Sequence, residues 1–298
     1  VLRIVLPKGS LERATLELFE AADLAVSRAS EVDYRAAIDD PRVSEVRILR
    51  PQEIPVYVAD GLFDLGVTGR DWIEEQGVDV VSLGELAYSR STAAPVRVVL
   101  AVPEDSPYGS VADLARASAA GGRRLRVSTE YPRLTTRALG AHGIDAEVSL
   151  SYGATEAKVP DIADCVVEIT ETGRALRAAG LRVLETLLVS RTELIANPKS
   201  AQDPQKRHAM SQLHTLLAGA LEARGKVLVK LNVPADRLEA VVATLPSMRA
   251  PTVAELSNGR GFALETVVAK SDVNTLIPAL KEQGATDILE LALSKIVH

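Results

Sequence analysis

The sequence predicts an α/β protein built as two lobes in succession, followed by a smaller domain of different rhythm. Three observations carry this expectation. Short apolar runs alternate with helical patterns through the first two-thirds of the chain. That alternation restarts after Pro95. Beyond Asn197-Pro198 and Asp203-Pro204 the order becomes β-α-β-β-α-β, the ferredoxin-like unit.

The elements follow in order. Leu2–Leu6 reads as a strand, and Ser10 as the cap of a helix with Leu11, Ala14, Leu18 and Ala22 on one face. Pro51 fits the first turn of a helix reaching Val58, Leu65–Thr68 is a second strand, and Asp71-Trp72-Ile73 opens a further helix. After Pro95 the pattern gives strand Val96–Val102, helix Val111–Ala119, a break at Gly121-Gly122, strand Leu125–Thr129 and helix Leu134–His142. Strands Ala146–Leu150 and Asp164–Ile169 and a short helix Arg174–Ala179 follow, and strand Leu181–Val189 returns from that helix, available to rejoin the first lobe. A helix with Met210, Leu213, Leu217 and Ala220 in one stripe stops near Gly225. The tail reads strand Val227–Val233, helix Asp236–Leu245, strand Thr252–Leu256, a Ser257-Asn258-Gly259 turn, strand Phe262–Ala269, helix Val273–Gln283 and strand Asp287–Leu291. Pro278 is expected to kink or shorten its helix. The division is residues 1–92 for the first lobe, rejoined by 181–196, then 93–180 for the second, and 197–298 for a linker helix and the tail.

Composition narrows the function. The 298 residues are 47% hydrophobic and 25% charged, enough for two or three domains of roughly 100–150 residues each. Only 3% are aromatic, and 34 basic against 40 acidic residues leave a net charge of −6, which argues against nucleic acid as a partner. No stretch approaches the ~20 apolar residues of a membrane-spanning helix, and the apolar opening stops at Pro7-Lys8-Gly9, so a cytoplasmic protein is expected. One cysteine, Cys165, and four scattered histidines exclude internal disulfides and thiolate zinc sites.

The most informative chemistry lies between Asp164 and Leu176. A strand ends near Glu168, followed by Ile169-Thr170-Glu171-Thr172-Gly173 and a helix start at Arg174-Ala175-Leu176. Amide groups unpaired at a helix start, the Thr170 and Thr172 hydroxyls and a glycine permitting close approach suit a phosphate, with Glu168 placed to accept ribose hydroxyls. A plain capped helix after a strand fits the same residues. Lys8-Gly9-Ser10 repeats the strand–glycine–helix pattern, with Arg13 one turn later. Arg50 and Arg70 stand at element boundaries as candidate cations for a polyphosphate, and Asp71 as a candidate Mg²⁺ ligand through water; ordinary salt bridges or caps remain open for each. Glu130 and Glu156 follow strands of the second lobe and either project between the lobes or are solvated loop carboxylates. Cys165, mid-strand among apolar neighbours, reads as core.

Taken together these segments resemble the ATP phosphoribosyltransferase family. The resemblance runs through Leu6-Pro7-Lys8-Gly9, Arg50-Pro51-Gln52-Glu53-Ile54-Pro55-Val56-Tyr57-Val58 and Asp64-Leu65-Gly66-Val67-Thr68-Gly69-Arg70-Asp71. It continues through Thr129-Glu130-Tyr131-Pro132, Gly153-Ala154-Thr155-Glu156, Ile162-Ala163-Asp164 and Glu171-Thr172-Gly173, and reaches the tail at Leu245-Pro246, Ala250-Pro251-Thr252 and Ser271-Asp272-Val273-Asn274. It implies a long-form enzyme: a two-lobed core like periplasmic binding proteins, plus a C-terminal regulatory domain that binds histidine as feedback inhibitor. The implied reaction moves the phosphoribosyl group of phosphoribosyl pyrophosphate (PRPP) to N1 of ATP, releasing pyrophosphate, with Mg²⁺ required and dimers assembling into hexamers. By the family's pattern Glu168, Thr170, Glu171, Thr172, Gly173, Arg174, Ala175 and Leu176 surround the 5′-phosphate and ribose. Lys8, Gly9, Arg13, Arg50, Arg70, Asp71, Glu130 and Glu156 line the rest of the substrate pockets, with Lys8, Arg50 and Glu168 carrying the chemistry. Asn232 and Thr252 fall in the histidine-binding region. Three departures stand out: Ala175 where many members have Thr, Glu168 in place of the usual Asp, and Lys158-Val159-Pro160-Asp161 where a small glycine-containing segment is commoner. The alternative reading is a two-lobed protein that senses histidine, or binds an amino acid or anion, without turnover.

Overall fold

In the computed structural model, residues 1–30, 33–88, 94–121, 123–246, 250–257 and 259–298 are described. The break expected at Gly122, the turn residue Asn258 and the lobe boundary at 92–93 lie outside them. Strand β1 (Leu2–Pro7) is buried along nearly its whole length, which is why its sequence is apolar apart from the part-buried Arg3 rather than alternating. After it come α1 (Glu12–Ala21), β2 (Val26–Ser27), β3 (Arg35–Ile38), β4 (Val43–Leu49), α2 (Ile54–Ala59), β5 (Leu65–Gly69), α3 (Arg70–Gln76) and β6 (Val81–Leu86). β1 pairs in parallel with both β4 and β5.

The second sheet contains β7 (Val96–Pro103), β8 (Leu125–Thr129), β9 (Ala146–Leu150), β10 (Cys165–Thr170) and β11 (Leu181–Ser190) in the order β11-β7-β10-β8-β9. Helices α4 (Val111–Ala119), α5 (Pro132–Ala141) and α6 (Arg174–Ala178) connect them. β8, β9 and β10 run parallel, whereas β7 is antiparallel to β10 and β11. The return to the first lobe differs from the single stretch expected over 181–196. β11 stays in the second sheet, and β12 (Thr192–Ala196) inserts antiparallel between β5 and β6 of the first, so the chain changes sheets at Arg191.

Three other local expectations need correction. The first helix begins at Glu12, and its first turn is held by the Gly9 amide on the Glu12 carboxylate (3.2 Å) rather than by a Ser10 cap. Its buried face is Thr15, Leu18 and Phe19, with Ala22 buried just beyond its end. Pro51 lies in a turn, and Pro55 occupies the first turn of α2 instead. Strands β3, β4 and β6 carry charged, partly exposed positions and β2 is only two residues long, so none gave a clear period in the sequence.

Helices α7 (Pro198–Gln202) and α8 (Pro204–Ala223) follow, and the stripe Met210, Leu213, Leu217 and Ala220 is buried as expected. The chain forms two units, Val1–Glu20 with Leu24–His214, and Ala21–Asp23 with Thr215–His298. Residues 197–214, expected with the tail, therefore pack with the first unit. The reason is local: Ser200 Oγ and Lys206 Nζ both donate to the buried Asp64 carboxylate, at 2.7 and 2.8 Å. In the second unit β13 (Lys226–Pro234), α9 (Leu238–Thr244), β14 (Thr252–Glu255), β15 (Gly261–Ala269), α10 (Val273–Glu282) and β16 (Thr286–Ala292) give an antiparallel sheet of order β14-β15-β13-β16. This is the ferredoxin-like arrangement. Val229, Leu231, Leu264 and Val268 meet Val241, Leu276 and Leu280 of the helices in its core. Pro278 lies inside α10 without ending it.

Candidate active site

In both lobes of the first unit the candidate residues gather where parallel strands end. In the second lobe the carboxyl ends of β8, β9 and β10 deliver Glu130, the Gly153–Glu156 segment and the Thr170–Leu176 loop. These line one cavity of about 170 Å³ together with Glu168 and Ile169. Gly173 adopts φ 72°, a left-handed conformation that suits glycine, and this turns the chain from β10 into α6. Thr170 Oγ1 accepts the Gly173 amide at 2.8 Å, and Thr172 Oγ1 accepts the Arg174 amide at 3.4 Å. Thr172, Arg174 and Ala175 are exposed, so the loop faces outward.

Glu168 sits half-buried at the floor of this cavity. Burial pushes its carboxyl up, and the nearby Glu130 and Glu156 carboxylates add to that; the Ile169 amide and the Thr155 hydroxyl, as hydrogen-bond donors, oppose it. Among the described residues that line the cavity there is no Lys or Arg. The pocket is therefore an anionic one, with hydroxyls and amides as its donors.

Cations come from the first lobe. Lys8 follows β1 and Arg50 follows β4, both at the carboxyl edge of parallel strands. Lys8 Nζ lies 4.3 Å from the centre of the Tyr34 ring. Arg50 is exposed, and among the described residues its guanidinium has no partner. Arg13 stands apart: its side chain is 91% exposed and pairs with Glu17. Arg70 is engaged elsewhere, hydrogen-bonded to Glu74 at 2.6 Å and 3.7 Å from the buried Glu193.

Asp71 does not have the surroundings of a metal ligand. It is buried, its Oδ1 accepts the Ser190 hydroxyl at 2.6 Å, and its Oδ2 accepts the Tyr131 hydroxyl at 2.7 Å. With both oxygens committed, Asp71 ties α3 to the end of β11 and to the start of α5. Glu75, one helical turn on, accepts the Arg133 and Leu134 amides at 3.0 and 2.8 Å and so caps α5 across the lobes. Trp72 stacks on Tyr131 with ring centres 4.5 Å apart and packs into the core of the second lobe. A slot beside this joint is lined by Leu11, Pro51, Trp72, Tyr88 and Pro95 together with the polar Asp71, Ser190 and Thr192, and Ile169 lines both it and the second-lobe cavity. Cys165 is fully buried, and burial pushes its thiol up to about 12, so it is core.

A family model described as ATP phosphoribosyltransferase matches residues 50–219, and one described as HisG, C-terminal domain, matches residues 223–295. The chain belongs to the ATP phosphoribosyltransferase family. It is 45% identical to the ATP phosphoribosyltransferase of Pelotomaculum thermopropionicum over 99% of both chains. It is also 45% identical to that of Chlorobium phaeovibrioides, over 100% of this chain and 98% of that one. The solved ATP phosphoribosyl transferase (HisG:HisZ) complex from Thermotoga maritima shares the fold, with TM-score 0.60 and 22% identity over 73% of this chain and 98% of that one. The chain is thus an ATP phosphoribosyltransferase of the first step of histidine biosynthesis, in the long form with its C-terminal domain.

The transferase's tail separates its two candidate effector residues. Thr252 lines a cavity with Lys226, Leu228, Glu265 and Val267, whereas Asn232 does not line it and donates to Asp287 Oδ2 at 3.0 Å. Sequence reasoning missed the residues of the lobe joint, Trp72, Glu75, Tyr131 and Ser190. The only signal for them was position, since each lies next to an element boundary.

Proposed function

We propose that the PRPP sugar occupies the second-lobe cavity, with its 5′-phosphate on Thr170–Leu176 and its ribose hydroxyls on Glu168. The observation that carries this is that Glu168 and the Thr170–Gly173 turn open into one cavity at the carboxyl ends of parallel strands, where α/β folds receive ligands. Thr170 and Thr172 each already accept an amide proton, so each keeps its hydroxyl proton to donate to a phosphate oxygen. Arg174, exposed beside them, supplies charge where Ala175 offers no hydroxyl.

The adenine of ATP takes the slot beside the Trp72–Tyr131 joint, and Ile169, which lines both that slot and the sugar cavity, supports N1 approaching the anomeric carbon of the sugar. N1 displaces pyrophosphate with inversion: the N–C bond forms as the C–O bond breaks, and the electron pair leaves with pyrophosphate. Alignment is the main contribution of the enzyme, because N1 is a modest nucleophile. Lys8 and Arg50 face the phosphates, while Glu168 orients the ribose beside the carbon that becomes positive.

The residues present fit a Mg²⁺ requirement. Glu130 and Glu156 crowd Glu168 in a cavity without Lys or Arg among its described lining, an arrangement that a divalent cation relieves. Among the described residues no three acidic or imidazole groups form a site by themselves, which suits an ion that arrives on substrate phosphates. Glu130 and Glu156 would hold it. When bound, Mg²⁺ supplies positive charge to the pyrophosphate as it departs. Histidine acts as feedback inhibitor through the tail at the Thr252 cavity, in dimers that assemble into hexamers, and the reaction takes place in the cytoplasm.

Pyrophosphate release from ATP, PRPP and Mg²⁺ tests the site. Glu168→Gln lowers kcat by about 100-fold if the carboxylate holds the ribose beside the reacting carbon. Unchanged turnover in a folded variant would remove Glu168 from the site.

A further inference from the structure

The segment after β9 has an unusual backbone. Gly153 has φ 123° and Ala154 φ 48°, so a non-glycine residue adopts the left-handed region beside the cavity. That conformation brings Cβ close to the following carbonyl oxygen and persists only where neighbours enforce it. Here it turns Thr155 inward, where it is 1% exposed, and Ser151 is buried next to it. The two hydroxyls lie 2.8 Å apart.

Lys158 closes the turn from the other side. Its Nζ donates to Ser151 Oγ at 2.6 Å, and among the described residues it forms no ion pair with a carboxylate. Thr155 lines the same cavity as Glu168, and its hydroxyl, as a donor toward that carboxylate, favours the charged form. An ammonium can only donate and a carboxylate can only accept, so with Thr155 donating toward Glu168 the order runs Lys158 to Ser151, Ser151 to Thr155, Thr155 to Glu168. The shorter 2.8 Å contact to Thr155 competes with the Gly153 carbonyl at 3.3 Å for the Ser151 proton. Each hydroxyl spends its single proton in the same direction. Hydrogen bonds aligned in this way polarise one another and hold their terminal group in one orientation.

We propose that Lys158 is a positioning residue for Glu168, acting through Ser151 and Thr155 to fix the carboxylate that receives the ribose hydroxyls. This rests on the reading of Glu168 given above. Lys158 itself touches no substrate. Removing its ammonium leaves Ser151 free to turn toward the Gly153 carbonyl, which already lies 3.3 Å from its oxygen, and Thr155 then loses the partner that directs its proton.

Steady-state kinetics of the full chain separate the possibilities, with thermal midpoints recorded for every variant. Lys158→Met is expected to lower kcat about ten-fold, with little change in the KM for either substrate, because the phosphate loop still binds while alignment is lost. Ser151→Ala gives the same pattern, and Lys158→Arg, which keeps a donor-only cation, restores most of the rate. The double variant Lys158→Met/Glu168→Gln is no slower than Glu168→Gln alone, since the lysine acts only through that carboxylate. Additive losses in the double variant would overturn the proposal, as would wild-type kcat in Lys158→Met while Glu168→Gln is impaired. Should Glu168→Gln itself turn over normally, the ribose reading fails first and this proposal with it. If Lys158→Met does not fold, Ser151→Ala and Lys158→Arg decide by the same criteria.

Discussion

Arg50 and Arg70 occupy equivalent boundaries in the sequence but have opposite surroundings. Arg50 is exposed and unpartnered among the described residues, whereas Arg70 sits against Glu74 and the buried Glu193. Arg50→Ala is therefore expected to reduce kcat/KM by at least about ten-fold without moving the unfolding midpoint, as for a lost substrate contact. Arg70→Ala is expected to cost about 1–2 kcal/mol in urea unfolding, because Glu193 is left buried beside only weaker partners; the partial exposure of Arg70 keeps the figure below that of a fully buried pair. The reverse pattern would exchange the two roles. Sequence alone placed both arginines correctly at strand ends, but it could not see which carboxylates tertiary packing brings to each. The same holds for Asp71, whose oxygens are taken by Ser190 and Tyr131, residues 119 and 60 positions away.

At the level of elements, most of what the sequence shows is set by local pattern. The helix Val111–Ala119 and the strands Leu125–Thr129 and Ala146–Leu150 have the expected limits, because turn residues bound continuous or alternating apolar runs. The loop Thr170–Gly173 was legible for the same reason: hydroxyls and a glycine follow a buried strand. What the sequence hid depends on pairing between distant strands. The sequence pattern assigns the stretch 181–196 whole to the first lobe, yet β11 stays in the second sheet and only β12, one residue beyond it, joins the first. The joint formed by α3 and α5 gives a direct test at this scale. Glu75→Ala leaves two amides at the start of α5 without their carboxylate and is expected to cost about 2 kcal/mol, read as a lower urea midpoint. A change below a few tenths of a kcal/mol would mean that water replaces the cap without penalty.

Across the whole molecule, buried carboxylates set the response to acid. Burial raises Asp64, but this is outweighed by hydrogen bonds from Lys206, the Arg3 amide, Ser200 and the Arg3 guanidinium, which hold it well below the usual carboxylate range. Asp164 likewise is raised by burial and drawn down to about 2 by Arg126 and Arg123. Folded values below the unfolded ones mean that these groups stabilise fully above about pH 4 and lose that contribution as pH falls toward 2. Urea midpoints between about pH 5 and 2.5 should decline, and Asp64→Asn should flatten the decline while lowering stability at neutral pH. Regulation belongs to this scale as well. Histidine is expected to inhibit the full chain, and Thr252→Val to raise the inhibitory concentration about ten-fold, as for one lost hydrogen bond. Equal inhibition of both would place the effector outside that cavity. The most direct test of the catalytic assignment is a crystal structure with Mg²⁺ and PRPP. The 5′-phosphate is predicted on the Thr170–Leu176 loop with the ribose hydroxyls on Glu168; a phosphate bound instead at Lys8-Gly9, with the second-lobe cavity holding no part of the sugar, would contradict it.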